Sequence, residues 1–314
     1  KVTAFTVNPL HASKNIIDEC EIKDHLWVQR TIDPKLIELN TQGFLNGMTP
    51  VTTVFAFYSL FTTIFNNYKY IVVSNESSSN EANAQINGVD VNHQFSKTFT
   101  SELKLNEYFK NYIITDVHYF SALRAFNELQ IGMVFSKYKS LHTIFRSCNV
   151  GSKKGEVWCN NCPKCISTYL TIAPFLTKDE LLNIFGLDLA NTDYYKQIIE
   201  SLTNNSLVKP FECVATYDEL KLCHDLIFEN DDFKMSEFIK HLNYRNTEHI
   251  IPKHLYEMFD AELKPLVTPL LNRSKVLILG YGIEGKSTFE FIKQNYPSAH
   301  VSIADKNLNY TSPF

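Results

Sequence analysis

"YKYIVVSNE" (68–76) is the stretch on which the reading of this chain turns. A short β-branched run, Ile71–Val73, stops at once in Ser74, Asn75 and Glu76, the pattern of a buried strand that ends in a polar loop. Just before it, "VTTVFAFYSLFTTIF" (51–65) reads as a buried helix. Residues 1–8 read as a short buried strand and 22–33 as a second extended stretch ending at Pro34. Strands alternating with helices predict an α/β domain with a parallel sheet. Ligands of such sheets collect at the carboxyl ends of the strands. That place is taken here by "SNESSSNEANAQINGVDVNHQFSKT" (74–98), which is polar and lacks helical period. Loops of this length are usually functional or disordered. Asn92, His93, Gln94, Ser96 and Lys97 crowd into it, with Glu102 following. Any one of these reads equally well as a solvated loop residue, but their density marks a candidate ligand site.

Downstream the periodicity is mostly helical, over 101–112, 121–145, 177–186 and 216–228 and on to about Leu263. Thr177 with Glu180, and Thr216 with Glu219, form capping boxes, and Gly186 closes the first of these helices. "KPLVTPLLNRS" (264–274) holds two prolines and reads as a linker. The length, 314 residues, allows two domains. A net charge of −4 with scattered Lys and Arg argues against nucleic acid as a partner. No signal peptide is visible, and the most apolar run, 51–65, falls short of the ~20 residues that span a bilayer. A cytoplasmic protein without a membrane partner is therefore expected. The chain opens on Lys1 and stops at "DKNLNYTSPF" without a closing element, so a fragment of a longer protein is also expected.

Four of the seven cysteines share one stretch, "SCNVGSKKGEVWCNNCPKC": Cys148, Cys159, Cys162 and Cys165. CxxC turns bring thiolates within reach of one tetrahedral ion, and a closed set of four suits structural Zn²⁺. Disulfides fit poorly in a chain without a secretion signal, and CxxCxxC also occurs in iron–sulfur ligation. Cys20, Cys213 and Cys223 read as buried free thiols.

Near the end, "VLILGYGIEGKSTFEFI" (276–292) fits two phosphate-binding patterns. Gly280, Gly282 and Gly285 make a GxGxxG turn, and Gly280, Gly285, Lys286 and Ser287 make a P-loop string. "VSIAD" follows as a second strand, with Asp305 placed 20 residues after Gly285, where a dinucleotide-type fold puts its ribose-binding acid. A Rossmann-like turn aimed at a diphosphate is the better reading, and a P-loop ATPase the weaker one.

"SNESSSN", "VNHQFSK", "SCN…WCNNCPKC" and "APFLTKDELLNIFG" together resemble the UDP-N-acetyl-α-D-muramoyl-L-alanyl-L-glutamate epimerases, over about residues 1–260. The cysteine cluster is also similar to that of 7-cyano-7-deazaguanine synthase, where it binds zinc. Both resemblances imply a PP-loop ATP pyrophosphatase architecture. The epimerase resemblance implies ATP and Mg²⁺ as cofactors and a UDP-MurNAc-dipeptide as substrate. Its terminal Glu would be adenylated, which removes the carboxylate charge and acidifies the Cα–H for a general base. His93, Lys97 and Glu102 are the candidate bases. Asn75, Glu76, Asn80, Asn92, Gln94 and Ser96 are candidates for nucleotide, metal or substrate contact. The SGGxDS motif of PP-loop proteins is absent from residues 1–314, so a chain lacking its phosphate cradle, and inactive alone, is expected.

Residues 275–314 resemble the start of a UDP-N-acetylmuramoyl-L-alanine–glutamate ligase. The expected organisation is an epimerase domain over 1–263, a linker over 264–274 and the beginning of a Mur ligase Rossmann-like domain, coupled in function. Another PP-loop activity, or a non-catalytic zinc-stapled binding module, are the alternatives.

Overall fold

In a computed structural model the described residues are 2–44, 49–153, 157–231, 233–273, 275–279, 283–295 and 300–304. Strand β1 (Thr3–Val7), helix α1 (His11–Glu19) and strand β2 (Asp24–Val28) form a parallel pair joined by a crossover helix, in register from Thr3 with Asp24 to Val7 with Val28. These strands are half-buried rather than buried, because they form an isolated pair. Pro34 does more than end an extended stretch. It opens helix α2 (Pro34–Thr41), where its fixed φ suits the first turn, and the Asp33 carboxylate caps it by accepting from the Lys35 amide at 2.8 Å. Helix α3 (Val51–Phe65) buries only Ala56, Ser59, Leu60 and Thr63, and leaves Phe61 and Phe65 exposed, so it is not the buried helix its composition predicts.

The strand that decides the fold is β3 (Tyr70–Val73). The loop after it folds into the antiparallel hairpin β4 (Ala84–Ile86) and β5 (Val89–Val91), turned by Asn87 and Gly88. Both turn residues have positive φ, at 52° and 76°, as a type I′ turn requires. Helix α4 (Phe99–Tyr112) follows, and strand β6 (His118–Ser121) then pairs in parallel with β3, from Tyr70 with His118 to Val73 with Ser121. The helical reading of 121–145 holds only in its middle: Ser121 ends a strand, residues 122–127 turn into helix α5 (Glu128–Phe135), capped by Asn127, and 136–145 continue as turns with a short 3₁₀ segment at Lys139–Leu141. A four-residue strand is too short to show its period against the apolar background around it.

Alternate residues of β6 serve two cores. Tyr119 packs with Ala56, Leu60, Ile71, Leu105 and Phe109 against α3 and α4. Phe120, with no exposed surface, packs on the other face into a larger core. Helix α6 (Asn149–Lys153) lies in the cysteine loop, and the core gathers α5 with helices α7 (Pro163–Ile172), α8 (Lys178–Phe185), α9 (Asp193–Thr203), α10 (Tyr217–Ile227), α11 (Met235–Asn243) and α12 (Lys253–Arg273). Both capping boxes form, and Gly186 ends α8 in the left-handed conformation at φ 79°. The stretch 264–273, read as a linker, continues α12. Beyond it, strands β7 (Lys275–Leu279) and β8 (His300–Ala304) pair in parallel, with helix α13 (Ile283–Asn295) between them in the chain. Gly285 lies in the first turn of α13, while Gly280, Gly282 and Asp305 lie outside the described residues.

The class is thus mixed α/β and mostly helical. The strands pair only two by two among the described residues, and not as one wide parallel sheet. No described helix is long and apolar enough to cross a membrane.

Helices α5 and α7 approach so closely at Gly132 that a Cβ there would stand 2.4 Å from the Thr171 carbonyl oxygen. Overpacking of this kind costs ~1–3 kcal/mol, against ~1 kcal/mol gained in helix propensity. Gly132→Ala is therefore expected to lower the urea midpoint, and an unchanged or higher midpoint would contradict the packing described.

Candidate functional site

The loop after β3 is held by one buried guanidinium. Arg124, in the turn after β6, has no exposed surface and engages all five of its N–H donors. Nε and one terminal nitrogen donate to Glu102 Oε2, each at 3.1 Å. The other bonds reach the Glu76 carbonyl at 2.8 Å, Ser79 Oγ at 3.0 Å and the Lys97 carbonyl. Glu102 completes the set by accepting from the Ser121 amide at 3.1 Å. Burial pushes its carboxyl above the ordinary glutamate range, and Arg124 offsets this only in part. Glu102 was a candidate base, yet both its oxygens are occupied and its side chain is buried, which makes it an anchor of the loop. Sequence reasoning missed Arg124, whose only signal is a charged residue inside the apolar run "FSALRAF".

The other candidates divide. Asn80 Oδ1 accepts from the Phe99 amide, and Asn92 bridges the Ser79 carbonyl and the Gln94 amide, so both shape the loop itself. Asn75 is buried, and its carbonyl accepts from Ser121 Oγ at 2.5 Å. Ser96 lies half-buried in the short 3₁₀ turn Phe95–Lys97. Gln94 is 8% exposed, and its Oε1 is buried without a hydrogen-bond partner, an acceptor that a bound donor would satisfy.

His93 and Lys97 do come together, at a residue the sequence reading set aside. Lys97 Nζ stands 3.1 Å from Cys213 Sγ, and His93 Nε2 stands 3.8 Å from the same sulfur. Cys213 is half-buried, not enclosed. Burial pulls the Lys97 pKa down, but Cys213, Glu76 and Glu128 outweigh it, and the ammonium ends above the ordinary lysine value. Burial, then the Lys97 charge, hold His93 below the ordinary histidine value, so the ring is neutral. Asn83 Oδ1 lies 2.6 Å from His93 Nδ1 and also accepts from the His93 amide, while Asn83 Nδ2 donates to the Pro210 carbonyl. Carbonyls only accept and amide N–H groups only donate, so the Asn83 amide can face only one way. Nδ1 must then carry the ring proton, which leaves the Nε2 lone pair toward Cys213. The Phe211 ring meets His93 edge-on at 6.1 Å.

The cysteine loop borders the same place. Sγ atoms of Cys148, Cys159, Cys162 and Cys165 all lie within 4.8 Å of one another, with separations of 3.8 Å for Cys148–Cys162 and Cys159–Cys165 and 3.5 Å for Cys162–Cys165. A tetrahedron of thiolates at about 2.3 Å from one ion has edges of about 3.8 Å, whereas a disulfide is about 2.05 Å long. The four sulfurs therefore suit a single metal ion such as zinc. A polynuclear iron–sulfur cluster would need room between its ligands for its own atoms. Gly151 admits this fold: a Cβ there would lie 1.7 Å from the Val157 carbonyl oxygen. The loop reaches the His93 side through Asn149, which donates to Glu212 at 3.1 Å next to Cys213, and through Lys164, whose charge acts on both His93 and Glu128.

Glu128 sits at the start of α5 with Glu76 and Glu219 as acidic neighbours. Burial first, then those charges, push it up to about 8. A cavity of about 400 Å³ opens beside these residues and is lined by Ser77, Ser78, Asn80, Glu219, His241 and Tyr244 among others, but not by His93, Lys97 or Cys213.

A raised carboxyl has a definite sign in stability. Below 4.5, the ordinary glutamate value, Glu128 is protonated both folded and unfolded. Between there and about 8 the unfolded chain loses the proton and the folded chain keeps it, so stability falls as pH rises through that window. Glu128→Gln is expected to raise the melting temperature at alkaline pH and to leave it nearly unchanged in mild acid. Equal shifts at both ends of the range would refute the assignment.

With this geometry in hand, two families match the chain: the MurL N-terminal domain over residues 1–122 and the MurL C-terminal domain over residues 144–255. A UDP-N-acetyl-α-D-muramoyl-L-alanyl-L-glutamate epimerase of Micromonospora sp. is 32% identical over 241 residues, 76% of this chain and 54% of that protein. The enzyme of that name from Xanthomonas oryzae pv. oryzae is 33% identical over 221 residues, 68% of this chain and 49% of that protein. One from Salinispora tropica is 31% identical over 236 residues, 73% of this chain and 51% of that protein. The chain thus spans about half the length of the curated relatives it matches. No solved structure matches it significantly. His93 and Lys97 fall within the first matched region, Arg124 just beyond its end, and the four metal-suited cysteines and Cys213 within the second, so the site draws on both of the regions by which this chain belongs to the MurL epimerase family.

Proposed function

We propose that this chain takes part in the ATP-dependent epimerisation of the terminal L-Glu of UDP-MurNAc-L-Ala-L-Glu to D-Glu, through a glutamyl adenylate, in peptidoglycan precursor synthesis. The relatives' names support the reaction. The observation that carries the reading onto this chain is the meeting of His93 and Lys97 beside Glu76 and Glu128. A carboxylate holds its α-proton because the carbanion would sit beside a negative charge, and an acyl adenylate removes that charge. A neutral imidazole next to an ammonium group is then equipped to move the proton. Glu76 and Glu128 are hard oxygen donors, and the Glu76 charge helps to raise the Glu128 pKa, the chemistry of a pair that would hold Mg²⁺. Lys164 brings a cation to Glu128, suited to phosphate. When bound, ATP would supply the activating adenylyl group. Glu102 is not among the proposed bases, since Arg124 engages it.

Zn²⁺ is the ion proposed for the four cysteines, in a structural role, because a closed tetrahedral thiolate set leaves no position for substrate. Residues 275–314 are proposed as the start of a Mur ligase Rossmann-like domain. The parallel β7 and β8 joined by α13 support this. A cytoplasmic location follows from such nucleotide-linked substrates.

The complete gene product, given UDP-MurNAc-L-Ala-L-Glu, ATP and Mg²⁺ in D₂O, is expected to release pyrophosphate and to place deuterium on the Glu Cα. Amidation or thiolation without deuterium at that carbon would overturn the epimerase reading. Metal analysis is expected to find one zinc per chain, and its removal by a chelator to lower the melting temperature and expose 148–165 to proteolysis. Iron with sulfide, or no metal in protein purified without chelator, would contradict the zinc assignment.

A further inference from the structure

The geometry points to Cys213 as the proton-transferring base of this site, a thiolate maintained by Lys97 and oriented with His93, and not to either of those residues as the base itself. The inference rests on the epimerase reading and assigns its central step. Two contacts converge on this sulfur, the Lys97 ammonium at 3.1 Å and the His93 Nε2 lone pair at 3.8 Å, and behind the ring the Asn83 Oδ1, 2.6 Å from His93 Nδ1, fixes the tautomer. A thiol placed between an ammonium and an unprotonated imidazole nitrogen gives up its proton readily. The remaining cysteines are differently placed. Four face one another in the metal loop, Cys223 is fully enclosed, and Cys20 lies exposed on α1's C-terminal turn.

Lys97 is poorly suited to be the base, because its amine is held protonated by the sulfur and the carboxylates around it. Its role is to keep the negative charge on Cys213. Cys213 retains exposed surface, and Gln94, with its unpartnered buried oxygen, lies one residue from His93.

The step balances as follows. The Cys213 thiol first passes its proton to His93 Nε2. The thiolate then takes the proton from the Cα of the activated glutamyl group: the C–H bond breaks, an S–H bond forms, and the electron pair moves to the carbonyl oxygen as an enolate. As the electron pair returns from the enolate oxygen, Cα takes a proton from a water molecule on the opposite face; the hydroxide left there is neutralised by solvent, and Cys213 releases its proton to solvent on its own side, which restores the thiolate.

The test has two arms on the complete gene product. In the first, the unmodified protein is treated with iodoacetamide at neutral pH and each cysteine is followed by peptide mass spectrometry. Cys213 is expected to react roughly tenfold faster than exposed Cys20, and His93→Gln or Lys97→Met to remove that advantage. In the second, Cys213→Ala is expected to keep substrate-dependent pyrophosphate release while losing deuterium incorporation at Cα. If Cys213 reacts no faster than Cys20, or if Cys213→Ala still exchanges Cα–H within a few-fold of the unmodified protein, the assignment is overturned. If the unmodified protein shows neither pyrophosphate release nor exchange, it is the epimerase reading that fails, while the first arm still decides whether Cys213 is activated.

Discussion

The arrangement of the site depends on the Arg124 guanidinium. A buried arginine is tolerable only if its charge is paired and its donors are filled, and here one carboxylate, one hydroxyl and two carbonyls do both. The partners come from three places: α4 through Glu102, the start of the long loop through Glu76 and Ser79, and its end through Lys97. A 25-residue polar segment that would otherwise wander is thereby closed at both ends onto β6. Removing either charged partner would strand the other in an apolar interior, at a cost of roughly 3–5 kcal/mol. The loop's functional side chains owe their positions to this one network rather than to regular secondary structure.

A second layer of order lies in how neutral hydrogen bonds set the protonation of the site. The Asn83 amide is oriented by the Pro210 carbonyl and the His93 amide, and it dictates which imidazole nitrogen carries the proton. The segment carrying Cys213 is fastened to the loop by the ion pair of buried Lys209 with half-buried Glu81 and by the bond from the Lys209 amide to the Asn83 carbonyl. The metal loop leans on the same segment through Asn149 and Glu212. Three stretches far apart in sequence thus share one small region, each held by contacts that do not themselves perform chemistry.

Much of this was legible in the residues, and the failures have physical causes. Capping boxes, the Gly186 stop and the β3 strand are local signals, and local signals survive the loss of tertiary context. The clustering of His93 with Lys97, and the four-cysteine spacing, were legible because chemistry restricts which residue types can occupy such patterns. The hairpin turned by Asn87–Gly88 carried a readable Asn-Gly signal inside a stretch taken as irregular. β6 is too short to announce its period. Arg124 and Cys213 were not recoverable at all: each owes its role to partners brought from distant stretches by folding, and a lone Arg or Cys in an apolar run looks like any other. The polar residues Asn80 and Asn92 drew attention for the right reason, hydrogen bonding, but their partners are the loop's own backbone.

The two faces of β6 bear on where this protein can be divided. The first matched region ends at residue 122, immediately after the strand that sends Tyr119 into one core and Phe120 into the other. The boundary between the two family regions therefore falls where their packing is most shared. Cut there, the N-terminal piece would present a bare Phe120 to water, and the C-terminal piece would lose the wall against which its largest core assembles. The two matched regions meet at one strand, so each is expected to lose part of its core when parted from the other.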